Sequence, residues 1–130
     1  ATTDWTAELG LPPDVVKGTV CSSGVYDLLP AGISKRFPTG NFDEATIEAL
    51  SPIHHVAKLT GPIVVSYAKL ETPGFCRQSR DFAAALQKAG KLHTFIAADH
   101  YNHLEILETL ATPHGILGRL ALEQMGIAAK

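Results

Sequence analysis

Cysteine is scarce. The 130-residue chain carries only Cys21 and Cys76, too few for a disulfide framework and without the C-x-x-C spacing of a redox or zinc pair. Both are expected as free thiols, the usual state of such residues being burial as small hydrophobes. Long apolar runs are also missing: the longest, such as PIVVSYA, fall far short of the roughly 18 residues that span a bilayer. The N-terminal ATTDWTAELG lacks the charged-then-apolar order of an export signal. With nothing to anchor or export it, the chain is expected to be cytoplasmic and to have no membrane partner. No basic block is present either. Lys and Arg number 11 against 13 Asp and Glu, a formal charge of −2, so no run of cations can neutralise successive phosphates and nucleic acid is not an expected partner.

What the chain does have is apolar content, 45%, enough at this length for one globular domain spanning 1–130. Three short runs rich in β-branched residues alternate with helical patterns: VKGTVCSSG from Val16 to Gly24, PIVVSYA from Pro62 to Ala68, and LHTFIAA from Leu92 to Ala98. That alternation predicts an α/β fold with three parallel strands, near Val16 to Cys21, Ile63 to Ser66 and His93 to Ala97, paired in chain order. The central run is almost continuously apolar, as expected of a strand covered on both faces. Between the second and third runs, FCRQSRDFAAALQKAG places Phe75, Phe82, Leu86 and Ala89 at helical spacing, with Gly90 as the stop. Three hydroxyl–proline pairs, Ser51-Pro52, Thr72-Pro73 and Thr112-Pro113, predict helix starts capped by the hydroxyl. The last would open PHGILGRLALEQM, with Ile116, Leu117, Leu120 and Leu122 toward the core. The stretch Pro30 to Phe42 has no clear period and reads as a surface excursion.

The polar residues can then be placed. Glu71 follows the second strand and His103 follows the third, both at the carboxyl edge where open α/β sheets put their sites. A carboxylate after one strand and an imidazole after the next form the last two members of a Ser…Asp/Glu…His order. The acid would hold the ring tautomer, and the imidazole would take a nucleophile's proton. Other readings remain open on spacing alone. His100, His103 and Glu105, or His54 with His55, contain metal-ligating groups without a recognised ligand spacing. Cys21 or Cys76 would have to follow a strand–turn–helix elbow to act as a thiol nucleophile, and neither does. Asp27 suits a turn or cap better than a substrate contact. His54, His55, His93 and His114 are assigned to structure or solvent.

Three segments carry a resemblance: VKGTVCSSGVYDLLP, LSPIHHVAKLTGPIVVSYAKLETPGFCRQSRDFAAALQKAG and YNHLEILETL. Together they resemble the C-terminal half of an α/β-hydrolase of the arylformamidase-like esterase group, over almost the whole chain. The specific combination is S-P before the second strand, E-T-P-x-F-x-R-Q-S after it, and N-H-x-E after the third. The resemblance implies Glu71 as the triad acid, often Asp in that group, and His103 as the catalytic base. Asn102 and His100 form its loop, and Arg77 and Gln78 support the acid loop by bonding backbone. No cofactor or metal is implied.

The group's nucleophile elbow, G-x-S-x-G, and its oxyanion H-G-G segment occur nowhere in this sequence. SSG at Ser22 to Gly24 resembles the group's sixth strand and lacks a glycine two residues before the serine, so it is not a displaced elbow. ATTDW, Ala1 to Trp5, resembles the end of the helix that follows the elbow. The resemblance therefore implies part of a serine hydrolase, a partial α/β-hydrolase fold, acting on a small-molecule ester or aryl amide. Such a chain supplies acid and histidine but not serine. It is expected to be inactive alone and to contact the N-terminal half or a second copy. The alternative is a non-catalytic half-domain that assembles with another chain.

Overall fold

A computed structural model describes residues 3–33 and 43–127. At its centre is a three-stranded parallel sheet in the order β1 (Thr19–Ser22), β2 (Ile63–Ala68) and β3 (Leu92–Ala98). Parallel pairing in chain order is as the apolar runs predict. The first strand is shorter than expected, beginning at Thr19 and not at Val16, because Thr19 pairs with Ile63, the first residue of β2.

β2 is buried at all six positions. Its residues alternate between two apolar clusters. Ile63 and Val65 join Tyr26, Val56, Leu59, Phe82, Ala83 and Leu86 on one face, whereas Ala68 meets Ala98, Ile106 and Leu117 on the other. The neighbours follow the same alternation, with Cys21 packing against the first cluster and Val20 and Ile96 against the second. Period-two packing on both faces explains why this strand reads as an unbroken apolar run.

The crossover helix α4 (Pro73–Lys88) covers the first face with Phe82, Ala83 and Leu86. Phe82 is 2% exposed and its ring stacks on Tyr26 at 4.1 Å. The helix ends through Gly90, whose φ of 67° lets Lys91 N donate to Leu86 O at 2.9 Å. Ala89, expected on the core stripe, is exposed beyond the last turn. Among the described residues the other elements are shorter: α1 (Trp5–Leu9), α2 (Leu29–Gly32), α3 (Glu44–Leu50), a kinked 3₁₀ segment Pro52–Lys58, α5 (Glu105–Glu108), a 3₁₀ turn Thr109–Ala111, and α6 (Ile116–Gln124).

Several local expectations are corrected. Trp5 starts a helix, where the resemblance had ATTDW ending one; Asp4 Oδ1 accepts from Ala7 N at 3.0 Å as its cap. Positions 1–2 of that segment lie outside the described residues, as do 34–42 of the expected surface excursion. Leu29–Gly32, in the part of that stretch that is described, forms a helical turn. The hydroxyl–proline pairs do not cap as expected. Thr72 makes no side-chain cap bond at the start of α4. Ser51 Oγ accepts instead from Leu28 N at 3.0 Å, across to a distant loop. The last helix begins at Ile116, after Gly115, and not at Thr112. Thr112 and Pro113 belong to the turn before it, because α6 is seated against backbone: a Cβ on Gly115 would lie 2.0 Å from Thr109 O, and one on Gly118 2.0 Å from Thr112 O. Leu117 and Leu120 are buried as expected, while Ile116 and Leu122 are half-buried.

Truncating Phe82 removes the ring that joins helix, sheet and the Tyr26 loop. Phe82→Ala is expected to lower unfolding stability by about 3–5 kcal/mol, and Phe95→Ala, at a position 40% exposed, by clearly less. Denaturant melts of both variants measure the difference.

Candidate active site

The carboxyl ends of all three strands converge on Glu71. β1 and β2 stay paired one residue beyond β1, where Ser23 N donates to Ser66 O at 2.9 Å. The chain leaving β2 is stitched to the chain leaving β3: Lys69 N donates to Ala98 O at 2.9 Å and Leu70 N to Tyr101 O at 3.1 Å. Lys69 Nζ also pairs with Asp99 at 2.8 Å. His100 takes a left-handed turn with φ 67°, which redirects the chain toward His103.

These ties set Glu71 beside His103, with Nδ1 to Oε1 at 3.4 Å, a long contact at the limit of hydrogen bonding. The Glu71 side chain is 0% exposed and that of His103 42%. Glu71 Oε1 also accepts from Ser23 Oγ and from Ala68 N, the latter at 3.4 Å. Oε2 has no partner among the described residues. The imidazole stacks on Phe75, ring centres 4.4 Å apart. The structure thus turns Phe75 away from the core stripe assigned to it and toward the histidine. Phe75 also lines an adjoining cleft of about 190 Å³ with Val25, Pro30, Ala31, Thr72, Gly74, Arg77 and Gln78.

The remaining candidates fall at varying distances from this pair. Asn102 Oδ1 accepts from Leu104 N and Glu105 N at 2.9 and 3.0 Å, and Glu105 Oε2 accepts from Asn102 N at 2.8 Å. This reciprocal cap shapes the histidine's loop and engages the backbone, not the ring. Gln78 does bond backbone, but on the β1–α2 loop: it accepts from Tyr26 N and Asp27 N and donates to Asp27 O at 2.8 Å. Arg77 is corrected. Its guanidinium pairs with Asp81 one turn along α4 at 3.1 Å, because its position on the helix faces solvent. Asp27 Oδ1 accepts from Leu29 N, as a turn residue does. His54 pairs with Glu48 at 2.8 Å and His55 with Ala49 O at 3.0 Å, while His93 and His114 are exposed.

Among the described residues, no three His, Cys, Asp or Glu side chains converge as metal ligands. Burial pushes the Cys21 thiol above its usual range, which disfavours the thiolate a nucleophile needs. Cys76 is buried, with Sγ near Ala68 O and Glu71 O.

Two proteins named kynurenine formamidase resemble this chain. That of Danio rerio is 29% identical over 129 residues, covering 95% of this chain and 43% of the relative. That of Salmo salar is 30% identical over 130 residues, covering 95% and 44%. The chain therefore spans less than half the length of these curated relatives. No family model matches it. The likeness agrees with the arylformamidase-like motifs.

Two side chains at the site were not singled out for it from sequence: Ser23 and Phe75. Position is the only signal either carried. Ser23 lies near the end of the first run, at the same sheet edge as Glu71, and Phe75 lies four residues past Glu71.

Below Ser23, the Tyr26 phenol accepts from Gly24 N at 3.3 Å, and its pKa is raised above 10.0, first by burial and then by neighbouring Cys21. The folded protein thus keeps this proton where the unfolded chain has lost it. Stability from this group is intact below about pH 10 and declines as pH rises beyond that. Tyr26→Phe is expected to flatten the decline above about pH 10, measured by thermal or denaturant melts from about pH 9 to 12.

Proposed function

We propose that residues 1–130 supply the acid and histidine, but not the serine, of an α/β-hydrolase that cleaves a small ester or aryl amide by acyl transfer. The observation that carries this reading is a fully buried carboxylate facing Nδ1 of a part-exposed imidazole at the carboxyl edge of a parallel sheet. In this role Glu71 accepts from Nδ1–H and fixes the tautomer, leaving Nε2 to take the nucleophile's proton and return it to the leaving group. Glu71 stabilises the imidazolium that forms in between, and a carboxylate already stripped of water does so without reorganising. The relatives' name, kynurenine formamidase, fits an aryl formamide within this substrate class.

The nucleophile and oxyanion donors come, on this proposal, from sequence that pairs along the free edge of β1. That edge carries backbone groups with no strand partner among the described residues. Either the N-terminal half bearing G-x-S-x-G or a second copy would cover it. The two free thiols fit a reducing, cytoplasmic setting.

Purified residues 1–130 are expected to show negligible turnover of a short-chain aryl ester and to associate in solution. Turnover from a monomer that disappears in His103→Ala would reveal a nucleophile inside the chain and overturn this division of roles. In the full gene product, Glu71→Gln is expected to lower kcat by about 10⁴-fold, the effect of stabilising the wrong tautomer. Unchanged kcat in Glu71→Gln and His103→Ala would favour the non-catalytic half-domain.

A further inference from the structure

We infer that Ser23 is a positioning residue that clamps the Glu71 carboxylate in the orientation His103 requires. The inference rests on the reading of Glu71 and His103 as acid and base.

Ser23 stands at the end of a strand with φ 51°, a left-handed backbone conformation uncommon outside glycine. A serine held this way after a strand resembles a nucleophile elbow, yet its surroundings point elsewhere. The residue is only 5% exposed. Its hydroxyl donates to Glu71 Oε1, the same oxygen that faces His103 Nδ1, and so addresses the acid and not the imidazole. An attacking serine needs the opposite arrangement, its Oγ open to substrate and bonded to the base. Residue 21, two before it, is cysteine, so an elbow's first glycine is absent. The turn is also closed from below, since a Cβ on Gly24 would lie 2.6 Å from the Tyr26 ring.

The clamp has a physical reason. Glutamate carries one more rotatable bond than aspartate, so its carboxylate can swing where a shorter arm could not. Ala68 N holds Oε1 weakly, at 3.4 Å, and Oε2 has no partner among the described residues. That leaves Ser23 Oγ as the close contact that fixes the last torsion. The serine is itself fixed, because its backbone N–H extends the β1–β2 ladder to Ser66 O. Sheet pairing is thereby transmitted to the direction of a carboxylate.

The test compares Ser23→Ala, which keeps the unfavourable φ and removes the hydroxyl, with Ser23→Gly, which removes both. Each is made in the full gene product beside His103→Ala and assayed with a short-chain aryl ester. Both serine variants are expected to lose about 10- to 100-fold in kcat with little change in KM. The downfield NMR resonance of the His103 Nδ1 proton, which reports its bond to the carboxylate, should weaken in both. If Ser23 served only the turn, Ser23→Gly would match the wild type in kcat and in that resonance, and the inference would be overturned while His103→Ala remained inactive. If His103→Ala retained turnover, the acid–base reading would fail first and take the positioning role with it. Should Ser23→Ala not fold, Ser23→Gly decides alone. Should the wild type turn over no ester, the proton resonance decides.

Discussion

β2 has no face left for water, and the rest of the structure follows from that constraint. A six-residue strand buried at every position must be paired on both edges and covered on both sides, since unpaired backbone polar groups in such a place are costly. β1 and β3 satisfy the edges, α4 satisfies one face, and α5 with α6 satisfies the other. The strand can end only where the covering ends. At that point three chain segments emerge side by side with their backbone groups still close enough to bond, and the exits of β2 and β3 are tied by two such bonds. The acid and the imidazole meet because sheet pairing persists into the loops that carry them.

Burying Glu71 would be costly without compensation. Among the described residues no Lys or Arg pairs with it; Lys69, two positions away, pairs with Asp99 instead. The carboxylate is held by hydrogen bonds alone, from a hydroxyl, a backbone amide and the ring. Among the described residues, the side chains that bond it are the Ser23 hydroxyl and the His103 ring. Glu71 and His103 thus differ in their access to water: the imidazole is part-exposed and the carboxylate is not.

The strands were legible from sequence because burial on both faces leaves an apolar run that few other structures produce, and Pro62 to Ala68 is such a run. The nearness of Glu71 and His103 was legible from their place after successive strands. The hydroxyl–proline pairs misled because a sequence shows that a hydroxyl is available, not what competes for it: Ser51 Oγ is claimed by Leu28 N, 23 residues away. Arg77 and Gln78 are adjacent and polar, yet helix geometry points one at solvent and the other into the β1–α2 loop. Phe75 matched the helical period and still left the core, because it lies in the first turn of α4, beyond the sheet and next to the histidine. Ser23 touches Glu71 across 48 positions, a separation at which local pattern carries no information.

The seating of α6 has a consequence for how this region can change. Gly115 and Gly118 are small because the carbonyls of Thr109 and Thr112 occupy the volume a methyl would need. The fit is made by missing atoms, so no neighbouring side chain can shrink to make room. Even alanine, ordinarily the better helix former, would lift the helix off its turn. Lifting it would draw Gln124 from the carbonyls of Thr19 and Pro62 and slacken the sheet at the end opposite the candidate site. The C-terminal helix therefore behaves as a keyed part: its surface can vary freely, but its seat admits one size.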